Sequence, residues 1–159
     1  MKYEHKRMVR ACLNVLHEIG INSDDIMLVG SITFDVMGIF PTNKSFAHDV
    51  DVIVRVNDEM KKKIQQLTKI TNVMTSGEYI PNQTYSTDYI RNIKYMTGHT
   101  VDLNIWTVPE GTEFKTDIKL NDELDNIWVA TLADTIKAKK QYNRAKDLVD
   151  INDIVKQLI

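Results

Sequence analysis

The chain is poor in the residues that staple, anchor or coat. Its 159 residues include a single cysteine, Cys12, so no intramolecular disulfide forms. Val9, Leu13 and Leu16 surround that thiol at helical spacing, which reads as a buried, inert core group. No apolar run approaches the roughly 18 residues that span a bilayer. The opening "MKYEHKRMVRACL" is too charged and interrupted for a signal peptide. Together these absences point to a soluble, cytoplasmic protein with no membrane partner. Twenty Lys and Arg against 22 Asp and Glu give a formal net charge of -2. That excludes a polycation built to coat nucleic acid, though not a local basic patch. One cysteine and four scattered histidines hold out no structural zinc site.

With 43% hydrophobic and 26% charged residues the composition is that of a globular chain. Repeats and linkers are missing. One domain over 1–159 is expected, with a core at about 20–106 and a helical part at about 128–159. Val9, Cys12, Leu13, Leu16 and Ile19 share a helical face that Gly20 ends. "DDIMLVG" carries a short buried strand, Ile26 to Val29. After it, "SITFDVMGI" forms a short helix with Ser31 as N-cap. "FPTNKSFAH" is a loop. "DVDVIVRV" is a strand by its β-branched content, and a helix follows from Asn57 or Asp58 with lysines 61 to 63 on its solvated face. Val73 to Ser86 specifies no element.

"YIRNIKYM" and "VDLNIW" flank "TGHT" as a β-hairpin. The polar connection "TVPEGTEFKTDIKLNDELDN" has the length of a functional edge. Two helices close the chain, about Ala130 to Tyr142 and about Lys146 to Leu158. The second sets Leu148, Ile151, Ile154, Val155 and Leu158 on one side. With at least four strands among these helices, the class is α/β or α+β.

The run "HDVDVIVRV" carries the chemical signal. Asp49 and Asp51 project to one side of their strand, separated by roughly 7 Å at about 3.3 Å per residue. Left alone, two carboxylates so placed repel, and one takes up a proton. A divalent cation between them reverses the penalty, and magnesium prefers such oxygen ligands together with substrate phosphates. Asp102, near the start of the apolar strand "HTVDLNIW", supplies a third carboxylate. Three such groups can hold two ions about 3.5–4 Å apart, the arrangement for in-line phosphoryl displacement. Asp-x-Asp by itself more often caps a strand or faces solvent. Its weight here comes from "LVGS" upstream, where Gly30 and Ser31 end a strand and open a helix, presenting N–H groups and a hydroxyl to an anion. His48 is expected on the opposite side of the strand and His99 in an exposed turn. Trp106 and Trp128 read as core or cleft-wall residues.

Gly30-Ser31, then Asp49-Val-Asp51, then Asp102 resemble the motif series of the nucleotidyltransferase superfamily that shares its catalytic core with DNA polymerase β. The likeness spans about Ile26 to Trp106. Seventeen residues separate Ser31 from Asp49, more than in minimal members, and this is similar to the branch containing abortive-infection-type toxins. "LADTIKAKKQYNRAKDLVDINDIV" resembles that branch's closing segment.

The resemblance implies a nucleotidyltransferase-like mixed sheet flanked by helices. It implies transfer of a nucleoside monophosphate from an NTP to a hydroxyl on RNA or tRNA, a protein or a small molecule. Two Mg²⁺ ions, replaceable by Mn²⁺, would sit on Asp49, Asp51 and Asp102, and pyrophosphate would leave. Gly30, Ser31, Lys137, Lys140, Arg144 and Lys146 would hold the nucleotide, and a cognate protein partner is of a piece with the toxin-like branch. Against this stand a catalytically silent member of the same fold that binds a nucleotide or partner, and a solvated helix end in which Asp147 and Asp150 pair with neighbouring basic residues.

Overall fold

A computed structural model describes residues 1–71, 88–120 and 122–159. The stretch 73–86, for which the sequence specifies no element, lies outside them. The elements are α1 (Tyr3–Glu18), β1 (Ile26–Val29), α2 (Ile32–Val36), β2 (Asp49–Val56), α3 (Asp58–Thr71), β3 (Asp88–Met96), β4 (His99–Pro109), β5 (Ile118–Lys119), β6 (Trp128–Val129), α4 (Leu132–Tyr142) and α5 (Ala145–Leu158). The six strands form one mixed sheet in the order β3-β4-β2-β1-β6-β5. The expected α/β (α+β) class is what the chain adopts. Among the described residues no helix is long and apolar enough to cross a membrane.

Side-chain alternation gives the sheet two unlike faces. Val50, Val52, Val54 and Val56 on β2, Val101, Leu103 and Ile105 on β4, and Ile26 and Leu28 on β1 are buried. They pack with the α1 stripe of Met8, Val9, Cys12, Leu13 and Leu16. Each fully buried aliphatic side chain contributes on the order of 1.5–3 kcal/mol. Cys12 belongs to this core, and burial, with the charges of Asp51 and Asp102, raises its thiol pKa, so it stays protonated. Gly20, at φ +97°, ends α1 as the sequence indicates, with the Ile21 N–H bonded to the Leu16 carbonyl.

The opposite face of the same strands carries Asp49, Asp51 and Ile53 from β2 and Asp102, Asn104 and Trp106 from β4, all of which line a cleft. Two expectations need correcting. None of the described residues in the polar connection 107–126 lines this cleft. The connection instead supplies edge strand β5, sends Leu124 into the core and lays Phe114 under the Arg55 guanidinium at 4.3 Å. α5 is also rotated from its apolar pattern. Ile151 and Ile154 are buried, but Leu148, Val155 and Leu158 are exposed, and Asp147 and Asp150 take the inner side. Ion pairs to Lys139, Arg144 and Lys44 hold the two acids inward and set that rotation.

One buried polar unit ties the N-terminal helix to the loop before β2. His5, fully buried, bonds through Nδ1 to Asp35 Oδ2 at 2.8 Å, while its Nε2 accepts the Ala47 N–H at 2.9 Å. Nε2 accepts only in the neutral ring, so Nδ1 carries the proton and donates to Asp35. Burial lowers the His5 pKa, in keeping with that state.

Candidate active site

The three acidic residues come together through strand register. β2 and β4 run parallel with Asp49 beside Asp102 and Asp51 beside Asn104, so all four side chains share the open face. β1 runs antiparallel to β2 with Val29 opposite Asp51, which brings the Gly30-Ser31 bend against the same carboxylate. The contact is close. A Cβ on Gly30 would lie 2.2 Å from Asp51 Oδ2, and the residue holds φ +76°. Both facts require glycine. Ser31 starts α2, but its hydroxyl makes no capping bond, contrary to the expected N-cap role. Thr33 closes that bend instead, donating to the Gly30 carbonyl at 2.7 Å, and it meets Thr135 of α4 at 2.8 Å.

The electrostatics of the acidic set are unfavourable in the bare protein. Desolvation, followed by the Asp102 charge, raises the Asp49 pKa. Desolvation pushes Asp51 up to about 6, despite a 2.6 Å hydrogen bond from Asn104 Nδ2 to its Oδ1. The neighbouring Asp49 adds to that rise, whereas Lys139 and Arg144 oppose it. Asp102 accepts the Asn92 backbone N–H at 3.0 Å. Asn92, at φ 58°, sits in a β-bulge where Arg91 and Asn92 together face Asp102. Among the described residues no three His, Cys, Asp or Glu side chains already converge on one point. The set is one of hard oxygen donors with excess negative charge on one cleft wall, and that chemistry fits Mg²⁺.

The opposite wall is basic and tightly paired. The cleft measures about 580 Å³ and receives Lys139 and Tyr142 from α4, and Arg144, Lys146, Asp147 and Asp150 from the start of α5. Lys139 Nζ lies 3.2 Å from Asp150 and 3.6 Å from Asp147. Arg144 grips Asp147 through Nε at 2.6 Å and a second nitrogen at 3.1 Å, and Lys44 reaches Asp150 at 3.1 Å. Burial opposes ionisation of Asp147, yet the Arg144 bonds and the Lys139 charge outweigh it and lower its pKa.

Of the four basic residues expected at the nucleotide, Arg144 and Lys146 line the cleft. Lys137 and Lys140 are exposed and do not. Helical phase explains the difference: Thr135 and Lys139, one turn apart, occupy the buried side of α4. Lys139 and Lys44, passed over in the sequence, take their place, and a threonine and a lysine one turn apart carry no apolar stripe that would have marked the inward side of α4. His48, expected on the other side of the strand, lines the cleft mouth, because it precedes β2 and strand alternation does not govern it. His99 is exposed as expected. Trp106 forms cleft wall, whereas Trp128 packs at the far edge, its indole N–H donating to the Asp24 carbonyl at 3.1 Å.

No family model and no curated protein matches the chain.

Proposed function

We propose that the chain is a Mg²⁺-dependent nucleotidyltransferase with a DNA polymerase β-like core, moving a nucleoside monophosphate from an NTP to a hydroxyl. One observation carries the reading. Asp49, Asp51 and Asp102 line one cleft without an ion pair to any described residue, against the Gly30-Ser31 bend and across from a preset basic wall. Asp49 and Asp51 would hold both ions and Asp102 one of them. Cations bound there supply charge neutralisation and Lewis acidity for phosphoryl transfer.

The protein's own residues position the rest. Ser31, free of capping duty, donates to a phosphate oxygen, and the Gly30 backbone lets that phosphate approach. Lys139, Arg144 and Lys146 draw the phosphates toward α4 and α5, with arginine as a fork and lysine as a point charge. Asp102 takes the proton of the acceptor hydroxyl. The hydroxyl oxygen bonds to the α-phosphorus, the bond to the β-phosphate bridge breaks, and pyrophosphate leaves. Positioning and electrostatics supply most of the acceleration. A cytoplasmic setting and a cognate protein partner belong to this reading through its toxin-like branch.

The test is to incubate the protein with α-labelled NTPs, Mg²⁺ and a cell extract, with Asp51→Ala as control. Label on an acceptor, absent with the variant, is expected. No transfer under any of several divalent metals contradicts it. A silent, nucleotide-binding protein is the second reading, favoured by the bond that already occupies Asp102. Calorimetry showing tight NTP binding without turnover selects it.

A further inference from the structure

We propose that Tyr89 and Arg91 of β3 form the acceptor half of this cleft, and that the acceptor is the ribose end of an RNA strand. The inference rests on the transferase reading and specifies its substrate.

The open face sets its groups in order. Gly30 and Ser31 follow β1, Asp49 and Asp51 sit on β2, Asp102 and Asn104 on β4, and Tyr89 and Arg91 on β3. The basic wall lies toward the β1 side, since α4 bonds to α2 through Thr33 and Thr135, and Lys139 Nζ stands 5.8 Å above the Phe34 ring of α2. With triphosphate on that flank, the acceptor must enter from the other, past Asp102, and there it meets β3.

Among the described residues, a buried nitrogen and a buried oxygen on that flank lack a hydrogen-bond partner and bear on the acceptor. Arg91 Nε is one. Arg10, Arg55 and Arg144 are each matched to an aspartate. Arg91 lies 5.7 Å from the Tyr89 ring centroid and lines the cleft. Strand alternation sets it on the same face as Tyr89, two residues earlier. Asn104 Oδ1 is the second. Asn104 is only 8% exposed, its amide nitrogen is committed to Asp51, and Tyr89 stands opposite it in register. A buried polar atom left unpaired is costly, so both atoms fit a ligand that brings an anion to Arg91 and a donor to Asn104.

A terminal ribonucleotide brings both beside a ring. Its phosphate pairs with Arg91, a ribose hydroxyl donates to Asn104 Oδ1, and its base stacks at Tyr89. A polycationic small molecule is repelled by Arg91, and a protein hydroxyl by itself brings no anion to it, whereas every RNA nucleotide carries one. The grip covers one nucleotide, which agrees with a net charge of -2. In the transfer the RNA hydroxyl oxygen bonds to the α-phosphorus, its proton passes to Asp102, and pyrophosphate departs.

The experiment pairs binding with transfer, using the full chain with Mg²⁺. A fluorescent single-stranded RNA oligonucleotide, its DNA counterpart and a free nucleoside monophosphate are titrated by anisotropy or competition. The same acceptors, and a nuclease-treated protein extract, are offered with α-labelled NTP. Expected are RNA binding tighter than DNA, with the ribonucleoside monophosphate competing for the same one-nucleotide site, and RNA binding weakened at least tenfold by Arg91→Gln and less by Arg91→Lys, with NTP affinity and melting temperature unchanged. Asp51→Asn removes transfer but leaves RNA bound. RNA binding indifferent to Arg91→Gln overturns the assignment, as does label on protein in the nuclease-treated extract. RNA binding that depends on Arg91 without label on any acceptor upholds this surface and defeats the transferase reading instead.

Discussion

Asp49 and Asp51 share a cleft with Asp147 and Asp150, yet the two pairs are held in opposite ways. Asp147 and Asp150 are buried and bridged by Lys139, Arg144 and Lys44. Asp49 and Asp51 make no ion pair with a described residue: Asn104 gives Asp51 one amide, Asp102 adds negative charge beside Asp49, and Lys139, Arg144 and Lys146 act on them only from across the cleft. Accordingly the Asp147 pKa falls below its ordinary value, whereas those of Asp49 and Asp51 rise. One wall matches its acids to bases in direct contact, whereas the acids of the other stand apart from any described base, and it is this excess charge that the proposed cations would neutralise.

Breaking the matched pair is expected to cost most in stability. Asp147→Ala strips Arg144 of its fork and leaves Lys139 short of an anion, a loss of about 3–5 kcal/mol by analogy with other broken buried pairs. Urea unfolding measures it; a loss under 1 kcal/mol would mean that the pairing is idle.

Neutralising the unmatched pair is expected to separate function from stability. Asp51→Asn lowers nucleotide transfer by on the order of 10²–10³, followed with labelled NTP. In metal-free buffer at pH 7.5 the same variant becomes more stable, by at most about 3 kcal/mol, because a desolvated charge is gone and the Asn104 bond survives. Unchanged stability would show that Asp51 is merely solvated.

The third effect is steric. Gly30→Ala places a methyl group against Asp51 in a left-handed backbone position, and a loss of roughly 1–3 kcal/mol is expected. Transfer should fall further than stability alone explains, which comparing rates with melting curves will reveal.

The smallest effect is a difference in pH dependence. For Asp51 the folded pKa of about 6 exceeds the unfolded 3.8, so stability declines as pH rises from about 4 to about 6. For Asp147 the folded value is depressed. Its contribution is full above the ordinary carboxylate value and is lost as pH falls below that value and through the depressed folded one. Subtracting the Asp51→Asn profile from wild type cancels His5, whose lowered pKa gives the opposite slope near 6.5. A difference curve flat between pH 4 and 6 would refute the raised value.

The strands and helices were legible where a strong pattern met one burial environment. The β2 alternation, the α1 stripe and the hairpin of β3 and β4 all form as read. So did the shared cleft of Asp49, Asp51 and Asp102, because strand parity fixes the face and only the register of β4 was open. Three things lay beyond the sequence. The rotation of α5 is set by ion pairs to residues as distant as Lys44, which outrank its apolar stripe. Lys139 rather than Lys137 or Lys140 enters the cleft because tertiary packing chooses the phase of α4. The His5, Asp35 and Ala47 unit joins residues 30 and 42 positions apart, and nothing local announces it.

The most direct measurement counts divalent ions. Equilibrium dialysis with Mn²⁺ and a non-hydrolysable NTP analogue should give two ions per wild-type chain. Asp51→Asn and Asp102→Asn should each bind fewer, and Asp147→Asn should keep two. Ion binding absent from wild type, or indifferent to Asp51 and Asp102, contradicts the account.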